Sequence, residues 1–318
     1  MWIKFLGISL KGVFELFILG LVGFFLVKRK VLNSEGLNFL SKLVVEVSLP
    51  LMIFLRLVKN FSFTQYPEWW IYPLISFFIT GLGLVIGMIF LPFLKELPYK
   101  LQFLSLVTFQ NSGYLPLILI SAILPKEKME VMFIYIFLFL LGFNLIMWSF
   151  GIYLISLSRK KSLELGSLFS PPVVATLVGL IIVYLGLDKF IPGFVYRPLS
   201  MLGDSTLPLA IIVVGGSLAQ LQINRFDKKA MLYLVLAKLI LMPLLGLLLF
   251  IKFRLSELIG LLIILELAVP PATSLSLIVR HYQKDDLIIS QGIFFGHIVS
   301  LITLPLFLSL YFTYFMIK

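Results

Sequence analysis

Long apolar runs recur along the whole chain, separated by short polar stretches rich in Lys, Arg, Gly and Pro. Each run is about 20 residues long, the length a helix needs to cross a hydrocarbon core of roughly 30 Å. Runs and punctuation together predict ten helices, near 9–28, 37–58, 70–94, 100–123, 131–157, 171–188, 196–220, 230–251, 257–279 and 286–315. A β-barrel is excluded, because its strands alternate in polarity over about ten residues whereas these runs are apolar on all sides. Helices satisfy their own backbone polar groups, as hydrocarbon requires.

The same runs contain a repeat. Glu46-Val47-Ser48-Leu49-Pro50-Leu51 in the second predicted helix matches Asp204-Ser205-Thr206-Leu207-Pro208-Leu209 in the seventh, acid to acid and proline to proline, at an offset of 158. Five helices per repeat is an odd number, so the two halves insert with opposite orientation. The expected organisation is a first five-helix repeat over 1–158, a cytoplasmic linker over 159–170 and an inverted second repeat over 171–318.

Composition narrows the class. Of 318 residues 60% are hydrophobic and 13% charged, against about 25% charged in soluble domains, so a water-soluble fold is excluded. The formal net charge of +11 resides in short clusters beside the spans, which points to lipid headgroups and topology rather than nucleic acid. Lys28-Arg29-Lys30, Arg159-Lys160-Lys161 and Arg225 with Lys228 and Lys229 mark the richer side, which places those loops in the cytoplasm and both termini outside the cell membrane. The first thirty residues carry no small-residue cleavage site and read as a retained first helix. Trp69, Trp70, Tyr72, Tyr99, Tyr196 and Tyr311 are expected at the headgroup level. There is no cysteine and there are two histidines, which leaves no basis for thiolate chemistry or a metal site. No enzyme is expected.

Chemistry is concentrated at two interruptions. The fourth helix is broken by Gln110-Asn111-Ser112-Gly113-Tyr114-Leu115-Pro116, and the ninth by Glu266-Leu267-Ala268-Val269-Pro270-Pro271-Ala272-Thr273-Ser274. Proline lacks the N–H that a helix donates four residues back, and unwound backbone inside a membrane survives only where it lines protein or a cavity. Paired breaks therefore imply a site, with Asn111, Ser112, Gly113, Pro116, Pro270, Pro271, Thr273 and Ser274 as the substrate-binding residues.

Charges inside spans are costly, about 2.5–3.5 kcal/mol each at the bilayer centre on insertion scales. Glu15 lies one turn from Lys11 and reads as a local pair. Glu266, Asp204 and Glu46 remain for cation coupling, with helix–helix hydrogen bonding as the alternative for the last two. Lys238 is too deep to snorkel and needs an anionic partner: Asp204 or Glu266 neutralises it structurally, or else it meets an anionic substrate or competes with the coupling cation. His297 reads as a proton relay or, more simply, as a packing group. Asp285 and Asp286 read as caps of the tenth helix.

Taken in order, several passages resemble the auxin efflux carrier family, whose prokaryotic members are often called malate permeases. They are Asn111-Ser112-Gly113 with Leu115-Pro116-Leu117, Leu207-Pro208-Leu209 leading to Gly215-Gly216-Ser217-Leu218-Ala219, Lys238 with Pro243, Pro270-Pro271-Ala272-Thr273 with Tyr282, and Ser300 to Pro305. The resemblance implies an all-α membrane protein of ten helices in two inverted repeats, with helices four and nine broken and crossing. It also implies a mobile domain of helices three to five and eight to ten moving against a scaffold, a homodimer, and elevator-like alternating access. The bile acid sodium symporters share that architecture, and Glu266 is similar to their sodium-site glutamate, a departure from plant auxin carriers. The expected function is secondary transport of a small organic anion coupled to a sodium ion or a proton. A bile acid-type sodium symporter and a membrane receptor built on the transporter fold are the competing readings.

Overall fold

The structure is a computed structural model that describes residues 2–94, 97–156, 169–221, 227–276 and 287–317. The linker expected over 159–170 lies almost wholly outside them, as do Arg225, Tyr282, Asp285 and Asp286. The described residues form helices almost throughout and no strand. In chain order these are α1 (Trp2–Lys28), α2 (Ser34–Leu43), α3 (Leu49–Asn60), α4 (Ile71–Phe90), α5 (Leu97–Thr108), α6 (Tyr114–Ile123), α7 (Lys126–Ile146) and α8 (Ile152–Ser156). They continue with α9 (Pro171–Tyr184), α10 (Gly193–Asp204), α11 (Thr206–Gln220), α12 (Lys228–Leu234), α13 (Met242–Phe253), α14 (Glu257–Ala268) and α15 (Leu287–Ile317).

Among the described residues, six stretches are long and apolar enough to cross a membrane: Ser9–Lys28, Ile71–Phe93, Lys126–Ile155, Gly193–Gln220, Lys228–Phe253 and Ile288–Tyr314. The shorter α6 and α9 are equally apolar. The chain is thus a multi-pass membrane protein, and large apolar side chains such as Phe14, Phe78, Ile89, Tyr184, Met201 and Leu248 project outward where lipid covers them.

Prolines explain most departures from regular helix. Pro50 and Pro243 each follow a wide π-helical turn, Val44–Ser48 before α3 and Val235–Leu241 before α13. Neither proline can donate to the carbonyl four residues back, and the widened turn accommodates that missing bond. Pro208 has the same effect on Asp204, where α10 stops and α11 begins after Ser205. Glu46 and Asp204 are thus each the residue whose carbonyl is released, as their matching sequence positions require.

Packing sorts the helices into two groups. In one, α1 lies along α11, and α3 packs on α9 and α10; in the other, α4 packs on α5 and α7, while α14 packs on α13 and α15. The groups meet where α1 runs along α15 and α3 touches α7. The α1–α11 approach depends on glycine. A Cβ at Gly215 falls 1.8 Å from the Gly20 carbonyl oxygen, whereas one at Gly81 meets nothing within 4 Å. Overpacking costs about 1–3 kcal/mol, and backbone on both sides places this case at the upper end. Gly215→Ala is expected to lower the thermal midpoint of the purified protein markedly and Gly81→Ala to leave it unchanged; equal midpoints show the contact to be yielding.

Two expected headgroup anchors are core residues instead. Tyr311 is fully buried against Phe250, with its hydroxyl donating to the Glu257 carbonyl, and Tyr72 stacks on Tyr135 with ring centroids 4.2 Å apart. A tyrosine whose hydroxyl finds a protein acceptor has no need of the water interface.

Candidate functional site

The two interruptions meet. After α5 the chain leaves the helix from Phe109 to Gly113, and after α14 it runs extended from Val269, so that Gln110 lies antiparallel to Pro271. The Asn111 amide donates to the Pro270 carbonyl at 2.9 Å and the Ala272 amide to the Phe109 carbonyl at 3.0 Å. Each break satisfies the other, which is how unwound backbone persists away from water. The double proline suits this place because Pro270 and Pro271 carry no N–H that needs a partner. Gly296 on α15 lets them dock, since a Cβ there falls 2.6 Å from the Pro271 ring. Pro116 lies in the first turn of α6, buried, where a missing N–H costs nothing.

On one side of the crossing is a cavity of about 110 Å³ lined by Gln110, Asn111, Ser112, Gly113, Thr273 and Ser274, which brings most of the expected substrate residues together. Pro116, Pro270 and Pro271 shape the crossing without lining this cavity. Asn144 and Trp148, from α7 and the turn after it, and Ser170 ahead of α9 add polar groups to the wall, which is otherwise mostly apolar, with Val45, Leu49, Leu140, Phe143 and Met147. A single amide in the otherwise apolar run Ile134 to Ile146 was the available signal for Asn144. The N-terminus of α6 opens beside the same cavity at Gly113, with its positive dipole end and free N–H groups.

Beneath the crossing is a buried cluster of ionisable and polar side chains. Glu266 near the end of α14 and Lys238 in the wide turn before α13 are both fully buried. Glu266 faces Lys238, with Ser112 and Gln110 beside its carboxylate. Yet Lys238 Nζ, both Glu266 oxygens, both polar atoms of the Gln110 amide and Ser112 Oγ are all buried without a hydrogen-bond partner. Of the two acids expected for Lys238, Asp204 pairs with Arg56, and Glu266 is the acid whose charge acts on Lys238, without an ion pair between them. Pro270 and Pro271 also release the carbonyls of Glu266 and Leu267, so freed backbone oxygens lie next to the carboxylate.

His297 joins the site from α15. Its Nδ1 is 2.8 Å from the Ile293 carbonyl and Nε2 is 3.3 Å from Asn111 Nδ2. A carbonyl only accepts, so Nδ1 carries the proton and Nε2 accepts from the Asn111 amide. The ring thereby fixes which way that amide presents its oxygen and nitrogen. His297 and Ser300 also edge a second cavity, of about 250 Å³ and almost wholly apolar, enclosed by α1, α6, α11 and α15.

The other two acids are elsewhere. Glu46 is exposed. Asp204, also exposed, takes a hydrogen bond from Arg56 Nη2 at 3.1 Å. Neither is beside Glu266 or Lys238, because both belong to the α1, α3, α10 and α11 side of the molecule. Lys11 and Glu15 form an exposed pair at 3.9 Å, as their spacing predicts.

Comparison with known proteins agrees with this architecture. The model of a family described as membrane transport protein matches residues 8–308. An uncharacterized transporter of Methanocaldococcus jannaschii is 26% identical over 94% of this chain and 97% of its own length. Two longer proteins match in part: an uncharacterized transporter of Saccharomyces cerevisiae is 30% identical over 46% of this chain and 26% of its own length. Protein PIN-LIKES 5 of Arabidopsis thaliana is 29% identical over 39% of this chain and 32% of its own length. With a family match over nearly the whole chain and a multi-pass helical fold around two crossed breaks, the chain belongs to the auxin efflux carrier family of membrane transport proteins and is a transporter, not an enzyme.

Proposed function

We propose that the chain is a secondary transporter of small organic carboxylates that couples their movement to a cation and works by elevator-like alternating access. The observation that carries this is the cluster of buried, unpartnered polar atoms on Glu266, Lys238, Gln110 and Ser112, directly under a cavity formed by two broken helices. Buried polar groups are normally satisfied, so a set of them at the crossing is what an ion-and-solute site requires. The cavity, at about 110 Å³, is well below the ~300–1,000 Å³ of sites for drug-sized ligands. Its hydroxyls, amides and helix N-terminus are donors suited to a carboxylate.

In this reading the six long spans are completed by residues 34–60, 97–123, 171–184 and 257–276 to ten crossings in two inverted repeats. The α4–α8 and α12–α15 set moves against the rest, which forms the homodimer within the cell membrane, with both termini outside. The larger apolar cavity beside His297 favours one second reading, a sodium symporter of bile acid type whose solute carries an apolar body.

The test is uptake by purified protein in liposomes, screening carboxylates of increasing apolar size under imposed sodium, proton and voltage gradients. Small carboxylates should accumulate and bulky ones should not; no flux of any carboxylate refutes transport of this class. Asn111→Ala should lower the thermal midpoint slightly, because the buried His297 Nε2 loses its donor, and raise the half-saturating concentration by ~10–100-fold, the value of a hydrogen bond to a charged group. An unchanged half-saturating concentration removes Asn111 from the site.

A further inference from the structure

The small cavity at the crossing and the larger apolar cavity share a wall. We propose that this wall, made of Tyr114 and of His297 held against Asn111, is the length filter of the carrier: it shuts the apolar tail of a solute out of the larger cavity and restricts transport to carboxylates with short carbon chains. This rests on the reading of the smaller cavity as the carboxylate site.

Three observations place the wall. First, Tyr114, the first residue of α6, lines both cavities. Second, Asn111 lines the smaller cavity and His297 the larger, and the two side chains meet in a hydrogen bond of 3.3 Å between Asn111 Nδ2 and His297 Nε2. Third, the ring is fixed from behind. Its Nδ1 is 2.8 Å from the Ile293 carbonyl, and α15 is seated on the crossing at Gly296, the preceding residue, where an added Cβ meets the Pro271 ring. His297 is buried, so swinging the ring aside leaves its nitrogens without partners inside the protein, which buried polar groups avoid. The wall is closed in this conformation.

What lies on each side decides its effect. On the Asn111 side, Ser112, Thr273 and Ser274 offer hydroxyls to a carboxylate within about 110 Å³. On the His297 side, about 250 Å³ is lined almost wholly by carbon, and Ser300 donates its hydroxyl to the His297 carbonyl at 2.8 Å. A carboxylate gains nothing there, whereas an alkyl chain does, because each methylene taken from water into an apolar space strengthens binding about fourfold. A solute too long for the smaller cavity meets the wall instead.

The experiment is binding of straight-chain carboxylates of increasing length, from acetate to octanoate, read as the shift in thermal midpoint of the purified full-length protein, with liposome uptake of the same series in parallel. Wild-type affinity should peak at a short chain and fall as the chain lengthens. His297→Ala opens the wall, and its affinity should keep rising, by about fourfold per added methylene over several methylenes. His297→Gln keeps an acceptor for the Asn111 amide and much of the bulk, so it should keep the wild-type limit; loss of the limit there assigns the effect to the imidazole and overturns the proposal. Tyr114→Ala opens the wall from α6 and carries the same expectation as His297→Ala if that variant does not fold. Carboxylates that bind with one length limit in wild type and in the opened variants overturn the filter and leave the carboxylate reading standing. Should neither opened variant fold, the wild-type series decides: a short-chain peak supports the filter and a climb through octanoate refutes it. If no carboxylate of any length binds or is taken up, the carboxylate reading itself fails and the filter with it.

Discussion

Glu266→Gln is expected to fold, to bind solute, and to lose ion-driven accumulation completely, so that the mutant only equilibrates carboxylate across the membrane. The side chain is isosteric, and an amide can bond Ser112 and Gln110 without a charge, so packing beneath the crossing is preserved. What disappears is the one acid of the cluster. Coupling requires that ion and solute favour the same state, and reciprocity makes their affinities rise together. A group that carries the ion must therefore transmit its loss to the solute. In wild type, solute affinity titrated against pH at fixed sodium, and against sodium at fixed pH, should respond to at least one ion; in the mutant it should respond to neither. The same substitution leaves the buried Lys238 ammonium uncompensated, so Glu266→Gln alone should lower the thermal midpoint, and truncating the other partner acts in the same way. Lys238→Ala leaves a buried carboxylate uncompensated, a change that costs about 3–5 kcal/mol in buried pairs, and Glu266→Gln should restore most of that stability. If Glu266→Gln keeps the full ion dependence, the acid is structural and another group carries the ion; if wild-type affinity ignores both ions, the protein is better read as a voltage-driven uniporter.

How much of this was legible in the sequence follows from the range of each interaction. The breaks were legible because a proline's missing N–H acts on its own chain four residues back, and Pro270, Pro271, Pro50 and Pro208 each interrupt or widen their helix where that rule places the effect. Spans were legible from apolar length. Partners were not. Asp204 and Lys238 are both deep in their predicted helices, yet Asp204 meets Arg56, 148 positions away, and the charge acting on Lys238 is that of Glu266. Only packing decides such pairs. The repeat made Glu46 and Asp204 look like members of the site, and it does explain why both precede a proline; it carries no information on what faces them. His297 illustrates the same limit, since a lone histidine is indistinguishable from a packing group until Asn111 is seen against it.

Glu130→Gln is expected to change the balance between the two access states by ~10–100-fold. Arg56 on α3 donates through Nη1 to both Glu130 oxygens at 2.6 Å, and Asn60 donates to the same carboxylate at 2.9 Å. The guanidinium also lies 4.7 Å from the Phe133 ring centroid. Glu130 and Phe133 belong to α7, in the group that moves under the elevator reading, while Arg56 and Asn60 belong to the group that does not. Under that reading the contact exists in this conformation and breaks in the other, whereas Arg56 to Asp204 on α10 joins two helices of the group that does not move. Hydrogen bonds to a charged group contribute about 1.5–3 kcal/mol, and an energy made in only one of two states shifts their ratio by the corresponding factor. The chain has no cysteine, so a single cysteine replacing Thr273 on the cavity wall reports access cleanly. Its labelling by an impermeant maleimide from each side of a sealed vesicle gives the ratio. Glu130→Gln should move that ratio away from the side favoured in wild type, while Asp204→Asn should leave it within about twofold. If Asp204→Asn shifts the ratio as far as Glu130→Gln, the cluster is a single static anchor and α7 does not slide past α3.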